Sequence, residues 1–168
     1  MLIFSPMKPL LGPFPSLLTF LALAACSAES APGSAGPCND LAHDGSTHSV
    51  ALASNSPPVP SGGAISEGSY VLTAARLFNV PLSVDITRRL GASLEVRGDV
   101  IEQVTQRDAT LERSTFKYTV ASNMLSLVDT CSGSSANNHG FIATATQLEL
   151  LTPEPGTGYT LHRIFTKR

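Results

Sequence analysis

The sequence predicts an all-β domain, an antiparallel up-and-down meander of about eight short strands closing into a small barrel, behind a disordered N-terminal segment. Three observations carry this. Residues 116–131, FKYTVASNMLSLVDTC, alternate Phe116, Tyr118 and Val120 with Lys117 and Thr119, break at Ala121, Ser122 and Asn123, then alternate Leu125 and Leu127 with Ser126. Period-two alternation marks strands with one face in a core and one in water, and the polar break between two such runs marks a hairpin. Units of this kind recur along the chain with turn residues between them, and no amphipathic helix separates them to support a parallel sheet. Finally, of the 13 glycines and 12 prolines 16 fall in the first 68 residues and 9 in the remaining 100, so order belongs to the back of the chain.

A chain of 168 residues allows one ordinary domain with accessory segments. Charged residues are 14% and the net charge is -2. That leaves no broad basic surface, and nucleic acid is not an expected partner.

Residues 7–26 read MKPLLGPFPSLLTFLALAAC, with Lys8 as the only charge. The apolar run 17–25 is shorter than the roughly 20 residues a membrane span needs. A cation, a short apolar run and small residues describe a secretory signal peptide. Both Met1 and Met7 are candidate starts, and Met7 would put Lys8 in the positive n-region. Leu23-Ala24-Ala25-Cys26 resembles the lipobox of bacterial lipoproteins. That resemblance implies a signal peptide over residues 1–25, cleavage before Cys26, and acyl chains such as palmitate on the Cys26 thiol and its new amino group. Ser27, where an aspartate would signal inner-membrane retention, implies the outer membrane of a Gram-negative cell envelope. Plain secretion, with Cys26 free or disulfide-bonded, is the alternative reading.

Residues 26–66 are rich in Ser, Ala, Gly, Pro and Asn and show no sustained periodicity, so they read as a flexible tether. Val50 and Leu52 are the exception and suggest a short added edge strand. His43, Asp44 and His48 invite a metal reading. Flexible neighbours and the lack of any paired-ligand motif favour a solvated loop, and no metal or other cofactor is expected. With Cys26 lipidated, Cys38 and Cys131 remain, and an even pair in an exported protein is most simply a disulfide.

The domain, 67–168, opens at residues 68–74 with Tyr70 and Leu72 inward. Val84, Ile86, Leu94 and Val96 suggest a long or bulged second strand broken near Leu90-Gly91. Arg97-Gly98-Asp99 forms a hairpin tip; the triplet matches an adhesion motif, but a glycine between polar residues is what a tip requires. Ile101 and Val104, three apart, suggest a bulge. Residues 108–110 turn the chain into the strand ending at Val120. A polar loop, 132–139, leads into the strand at Phe141. Leu148 and Leu150 mark its partner, and Tyr159, Leu161 and Phe165, with Ile164 opposite, close the meander.

Gly68-x-Tyr70 in the first strand and Leu161-x-Arg163 in the last resemble the layout of lipocalin-like barrels, the calycin group. There a Gly-x-Trp opens the first strand and a basic residue of the last packs over the ring. The resemblance implies a barrel-closing cation-π pair, Tyr70 with Arg163; this chain has no Trp. Lipobox, Pro-Gly tether and meander together are also similar to lipoproteins of predatory or soil Gram-negative bacteria, myxobacteria among them.

Catalytic signals are thin. No Gly-x-Ser-x-Gly elbow occurs, no phosphate-cradling glycine loop precedes a helix, and Asp99, Glu102 and Asp108 lack an evident enclosing pocket. His139 and His162 read as exposed polar side chains. The expectation is a monomeric, non-catalytic binding module for a small apolar ligand or an envelope protein. Leu72, Phe116, Tyr118, Phe141, Tyr159 and Leu161 are the candidate lining. Short strands favour a filled or nearly filled interior, and a filled structural or interaction module, resembling a protease inhibitor, is the alternative.

Overall fold

The structure, a computed structural model, describes residues 38–81, 86–133 and 135–168. The expected signal peptide, with Cys26, and Val84 lie outside the described residues. Ten strands follow in order: β1 (His48–Ser49), β2 (Ala51–Ala53), β3 (Gly68–Phe78), β4 (Arg89–Arg97), β5 (Val100–Arg107), β6 (Thr110–Ala121), β7 (Met124–Asp129), β8 (Asn137–Ala143), β9 (Gln147–Pro153) and β10 (Thr160–Lys167). From β4 to β10 each strand pairs antiparallel with the next; β10 returns to β3, and β3 pairs with β4. The result is the closed antiparallel eight-stranded barrel that the alternation predicts.

Three tight turns set its register. Arg97 pairs with Val100, Arg107 with Thr110 and Ala121 with Met124, each across two residues. The first residue of each pair takes positive φ: Gly98 at 56°, Asp108 at 54° and Ser122 at 58°. This backbone suits the twist of the strands it joins, and glycine reaches it without strain.

The turns at Gly98 and Ser122 lie at one end of the barrel, and that end is packed solid. Tyr70, Leu72, Leu94, Val96, Ile101, Leu125, Phe141, Leu148 and Phe165 are all buried there. The sequence suggests a bulge in β5, but β5 pairs without a register shift on both sides. Val104 instead faces outward, opposite Ser93 and Arg113, and is buried all the same. The bulge falls between β3 and β10, where Ala74 pairs with Ile164 and Leu72 with Phe165. Skipping Thr73 lets Leu72 and Ala75, three apart, both face inward.

The segment expected to be a tether crosses this face of the wall, bonding to the neighbours of Val104. From Cys38 onward it lies against the barrel as a strap. Cys38 is disulfide-bonded to Cys131, with Cα atoms 5.8 Å apart. Asn39 is buried and donates from Nδ2 to the carbonyls of Gln103 (3.3 Å) and Ser114 (2.8 Å). The Asp44 amide donates to Ser93 Oγ at 3.1 Å, and His43 lies so close over Gly91 that a Cβ there would come within 2.7 Å of its Nε2.

β1 then pairs with the start of β4 and β2 runs parallel to the end of β3, with Val50 buried between them. In place of the one edge strand that Val50 and Leu52 suggest there are two, on different partners, with Val50 in neither and Leu52 40% exposed. Further on, Pro60 packs on Gly140, Gly62 pairs with Ile142, and the Tyr70 hydroxyl donates to the Ser66 carbonyl at 2.6 Å. The folded unit therefore begins by Cys38, not at residue 67. Ser/Pro/Gly composition removes periodicity, but this segment gains its order from hydrogen bonds to the barrel wall rather than from a core of its own.

A strap and a tether differ in amide exchange. The Val50 amide donates to Arg88 O at 3.0 Å and the Gly62 amide to Phe141 O at 2.9 Å. Both amides should exchange at least tenfold more slowly than unprotected peptide in hydrogen-exchange NMR, as a hydrogen bond stabilised by about 1.4 kcal/mol requires. Exchange at the unprotected rate would return the segment to the status of a linker.

Candidate functional site

The opposite end of the barrel, where β3, β5, β7 and β9 finish, is hollow. It holds a cavity of about 320 Å³, and its lining follows from the same period of two. In β5 the inward parity set by Ile101 continues through Gln103, Thr105 and Arg107. In β6 it runs from Phe116 back through Ser114 and Glu112. The inner surface thus changes from apolar to polar along β5 and β6. Leu90, Phe116, Leu127 and Leu161 supply an apolar band around the polar lining.

Charge is distributed unevenly in this cup. Three arginines and two glutamates line it. At the rim Arg88 pairs with Glu154 at 3.7 Å and Arg107 with Glu112 at 3.8 Å; the second pair is more than half exposed. Exposed pairs of this kind contribute little to stability, but they leave the rim electrically balanced. The third arginine, Arg163 on β10, sits deeper. It stands opposite Leu150 on β9 and Ala75 on β3, two residues before Phe165 of the packed half.

Arg163 has no carboxylate within ion-pair distance among the described residues. Nη2 donates to Thr152 Oγ1 at 3.1 Å, and Nε is buried without a partner among the described residues. The accessible surface that the side chain keeps opens into the cavity it lines. Burial, with Arg107 and Arg88 repelling and Glu154 opposing them, lowers its pKa to about 10, so it is cationic at neutral pH.

His139 completes the floor. Its inward position follows from pairing with Leu125 on β7, and its Nδ1 lies 2.9 Å from Thr152 Oγ1. Burial and then the Arg163 charge lower its pKa to about 4, so the ring is neutral. Thr152 Oγ1 thus sits between the two side chains, accepting from the Arg163 guanidinium and sharing one hydrogen with His139 Nδ1. The chain Arg163 to Thr152 to His139 fixes all three side chains.

The sequence-predicted residues divide between the two halves. Phe116 and Leu161 line the cavity. Leu72 and Phe141 are sealed in the packed half, and Tyr118 and Tyr159 are partly buried against the core. The interior is therefore half filled rather than filled. Tyr70 and Arg163 do not meet: Tyr70 stands opposite Lys167 and Arg163 opposite Ala75. Five residues of extended β3 separate the two levels, roughly 16 Å. The closing cation-π pair is thus replaced by a tyrosine bonded to the strap at one end and an arginine under the cavity at the other.

Both histidines expected to be exposed are buried. His162 faces outward, where its Nε2 meets Glu149 Oε2 at 2.7 Å and its ring packs near Phe78. Asp44, one of the suggested metal ligands, instead pairs with Arg168 at 3.0 Å. Cys38, Asp129 and Cys131 bring ligand-type atoms within 4.8 Å, but both sulfurs belong to the disulfide. Arg97 of the Arg-Gly-Asp tip pairs with Glu95 and Glu102. Thr152, Gln103 and Ser114 were not singled out by sequence. Extending the inward parity of β5 and β6 past their apolar halves is the signal that reaches Gln103 and Ser114.

The depressed pKa of His139 has a measurable consequence. Unfolded, the residue titrates near 6.5; folded, near 4. Above both values neither state binds the proton. Between them only the unfolded chain does, so stability falls as pH drops through this window, by about 3 kcal/mol in total. Urea unfolding at pH 7.5 and pH 4 should show a loss in His139→Gln that is smaller than in the wild type by about that amount. Equal losses would mean that the ring is accessible to protons in the folded protein.

No protein-family model matches the chain, and neither a curated protein nor a solved structure matches it.

Proposed function

We propose that this protein is a lipid-anchored, non-catalytic binding protein of the Gram-negative cell envelope, whose lipocalin-like barrel takes one small molecule into its open half. The observation that carries the reading is the cavity itself: a cup closed below by a packed core and open at the turns above. At about 320 Å³ it falls at the small end of ligand-sized pockets. A barrel that served only as a rigid spacer would gain stability by filling this space with apolar side chains. The polar lining is the arrangement expected where a few fixed groups orient a ligand.

Binding is favoured over catalysis by the state of His139. A general base works best with a pKa near the working pH. An imidazole titrating near 4 is a weak proton acceptor at neutrality, so its contact with Thr152 orients the hydroxyl instead of activating it. The lipid anchor is supported by cysteine arithmetic: Cys38 and Cys131 pair with each other, which leaves Cys26 as the remaining cysteine of three. With the strap held to the barrel from Cys38, only residues 27–37 would separate anchor and domain. Fully extended they reach at most about 40 Å, so the barrel would work close to the bilayer surface.

Two measurements test the reading. Mass spectrometry of the membrane fraction should find the mature chain starting at Cys26 with acyl mass on that residue; an unmodified, soluble mature chain overturns the anchor. Native mass spectrometry of the protein from its own host should find a bound small molecule, and Ser114→Phe, which fills the cup from β6, should abolish it while the fold persists. Adduct-free wild-type protein whose melting temperature no acid, amide or sugar of a small-molecule panel raises would leave a protein partner at the mouth as the better reading.

A further inference from the structure

The floor of the cavity says what part of a ligand it receives. A guanidinium has five N–H donors in a fixed fork and is among the costliest groups to enclose without an anionic partner. Arg163 gives one donor to the neutral Thr152 hydroxyl and keeps Nε buried without a partner among the described residues. Its remaining donors have no protein acceptor among the described residues, and the side chain lines the cavity. The two carboxylates of the cup are already paired with Arg88 and Arg107 at the rim. The cup therefore holds three cations to two anions, and the excess positive charge is the one at the bottom.

We propose that Arg163, fixed by Thr152 and flanked by His139, is the binding site for the carboxylate of a small organic acid, whose apolar body lies along Phe116, Leu127 and Leu161. This rests on the reading of the barrel as a ligand cup and names the chemistry of its ligand. A carboxylate matches the guanidinium fork with two parallel charge-assisted hydrogen bonds, which a neutral amide cannot do. Low dielectric below the mouth strengthens that pair relative to one in water. The apolar band above the floor suits a hydrocarbon or aromatic body, and the balanced rim neither repels nor captures the acid on its way in.

The same geometry predicts an inverse relation between stability and binding. A partly buried arginine kept without an anion weakens the fold, and an apolar residue of similar length relieves it. An arginine that served the fold would behave in the opposite way.

The test uses hexanoate, benzoate and phenylacetate, each beside its primary amide, titrated by calorimetry into the full mature chain. The acids should bind at least tenfold more tightly than the amides. Arg163→Met should lose at least tenfold of acid affinity, leave the amides within about twofold, and melt at the same temperature as the wild type or higher. Arg97→Gln, which removes an exposed cation at the packed end of the barrel that pairs with Glu95 and Glu102, should change acid affinity by less than about threefold. Acids and amides binding equally well to the wild type would overturn the anion site while leaving the cup as a ligand site, and this comparison needs no variant. A drop in melting temperature of Arg163→Met with unchanged acid affinity would assign the arginine to the fold and overturn the proposal. If no acid and no amide binds, the molecule carried from the host decides. A neutral or cationic adduct overturns the anion site alone, and adduct-free protein removes the cup reading together with it.

Discussion

β3 and β4 share four residue pairs, from Gly68 with Val96 to Val71 with Ser93, and beyond these the two strands diverge. Every other seam of the barrel is paired over more of its length or closed by a tight turn, apart from the short register between β7 and β8 and between β8 and β9. The opening left between β3 and β4 is filled by β1, which takes the edge of β4, and by β2, which takes the edge of β3, with Val50 buried between. Closure of the wall around the cavity thus depends on a segment that precedes the barrel in sequence. The Cys38–Cys131 bond fixes the start of that segment to the loop after β7, across 93 residues. In the chain-entropy account a loop of that size stabilises the folded state by about 4 to 5 kcal/mol. Without strap and disulfide, the backbone edges of β3 and β4 near the mouth would be left unpaired, a known hazard for sheet proteins.

The strap also explains how so small a barrel keeps a hollow half. An eight-stranded barrel has only enough interior for side chains or one small ligand. Leaving part of it polar and open gives up apolar burial that a domain of this size needs. Here a second layer of burial lies outside the wall. Val104, Phe78, Leu151 and His162 are all outward in parity and all nearly sealed from solvent. At least over β4 and β5, where Asn39 and Asp44 bond directly to the wall, the strap supplies that cover. Apolar contact transferred to the outer face frees the inner face of the mouth half for polar groups.

This division sets the limit of what the sequence discloses. Alternation identifies Tyr70, Leu72, Leu94, Val96, Leu125 and Leu127 as inward because each strand packs against its immediate neighbours, and neighbour contacts have a period. The strap has none. Apart from the two very short strands β1 and β2, its contacts are isolated hydrogen bonds made by Asn39, Asp44 and Gly62 to residues far away in the chain, so its composition resembles a linker. The same blindness misreads Val104 as a bulge and His162 as exposed: the cover over each comes from a distant segment. His139 is misread for a different reason. Asn, Ser and Gly around it imitate a loop, yet pairing with Leu125 draws it into β8 and turns it inward. Arg163 was visible as a cation in the last strand, but only the register with Ala75 and Leu150 shows that it lies beneath the hollow half and not over Tyr70.

The physical demands on this interior differ along one axis, the distance from the packed floor to the mouth. Each inward strand position near Phe165 and Leu148 is apolar and can change only in volume, since a polar group there would have no partner. Each position near Thr105, Ser114 and Thr152 can exchange one hydrogen-bonding group for another without disturbing the packed half. Arg163 stands at the boundary. One residue deeper in parity, its charge would be enclosed by Phe165, Leu148 and Tyr70; one nearer the mouth, it would join the screened, paired rim with Arg88 and Arg107. At its actual level the guanidinium is dehydrated enough to interact strongly and open enough to be reached. That is the condition under which an enclosed charge discriminates between an acid and its neutral analogue. The depressed basicity of His139 belongs to the same arrangement, because a second cation beside Arg163 would have to be relieved before the fold could hold either.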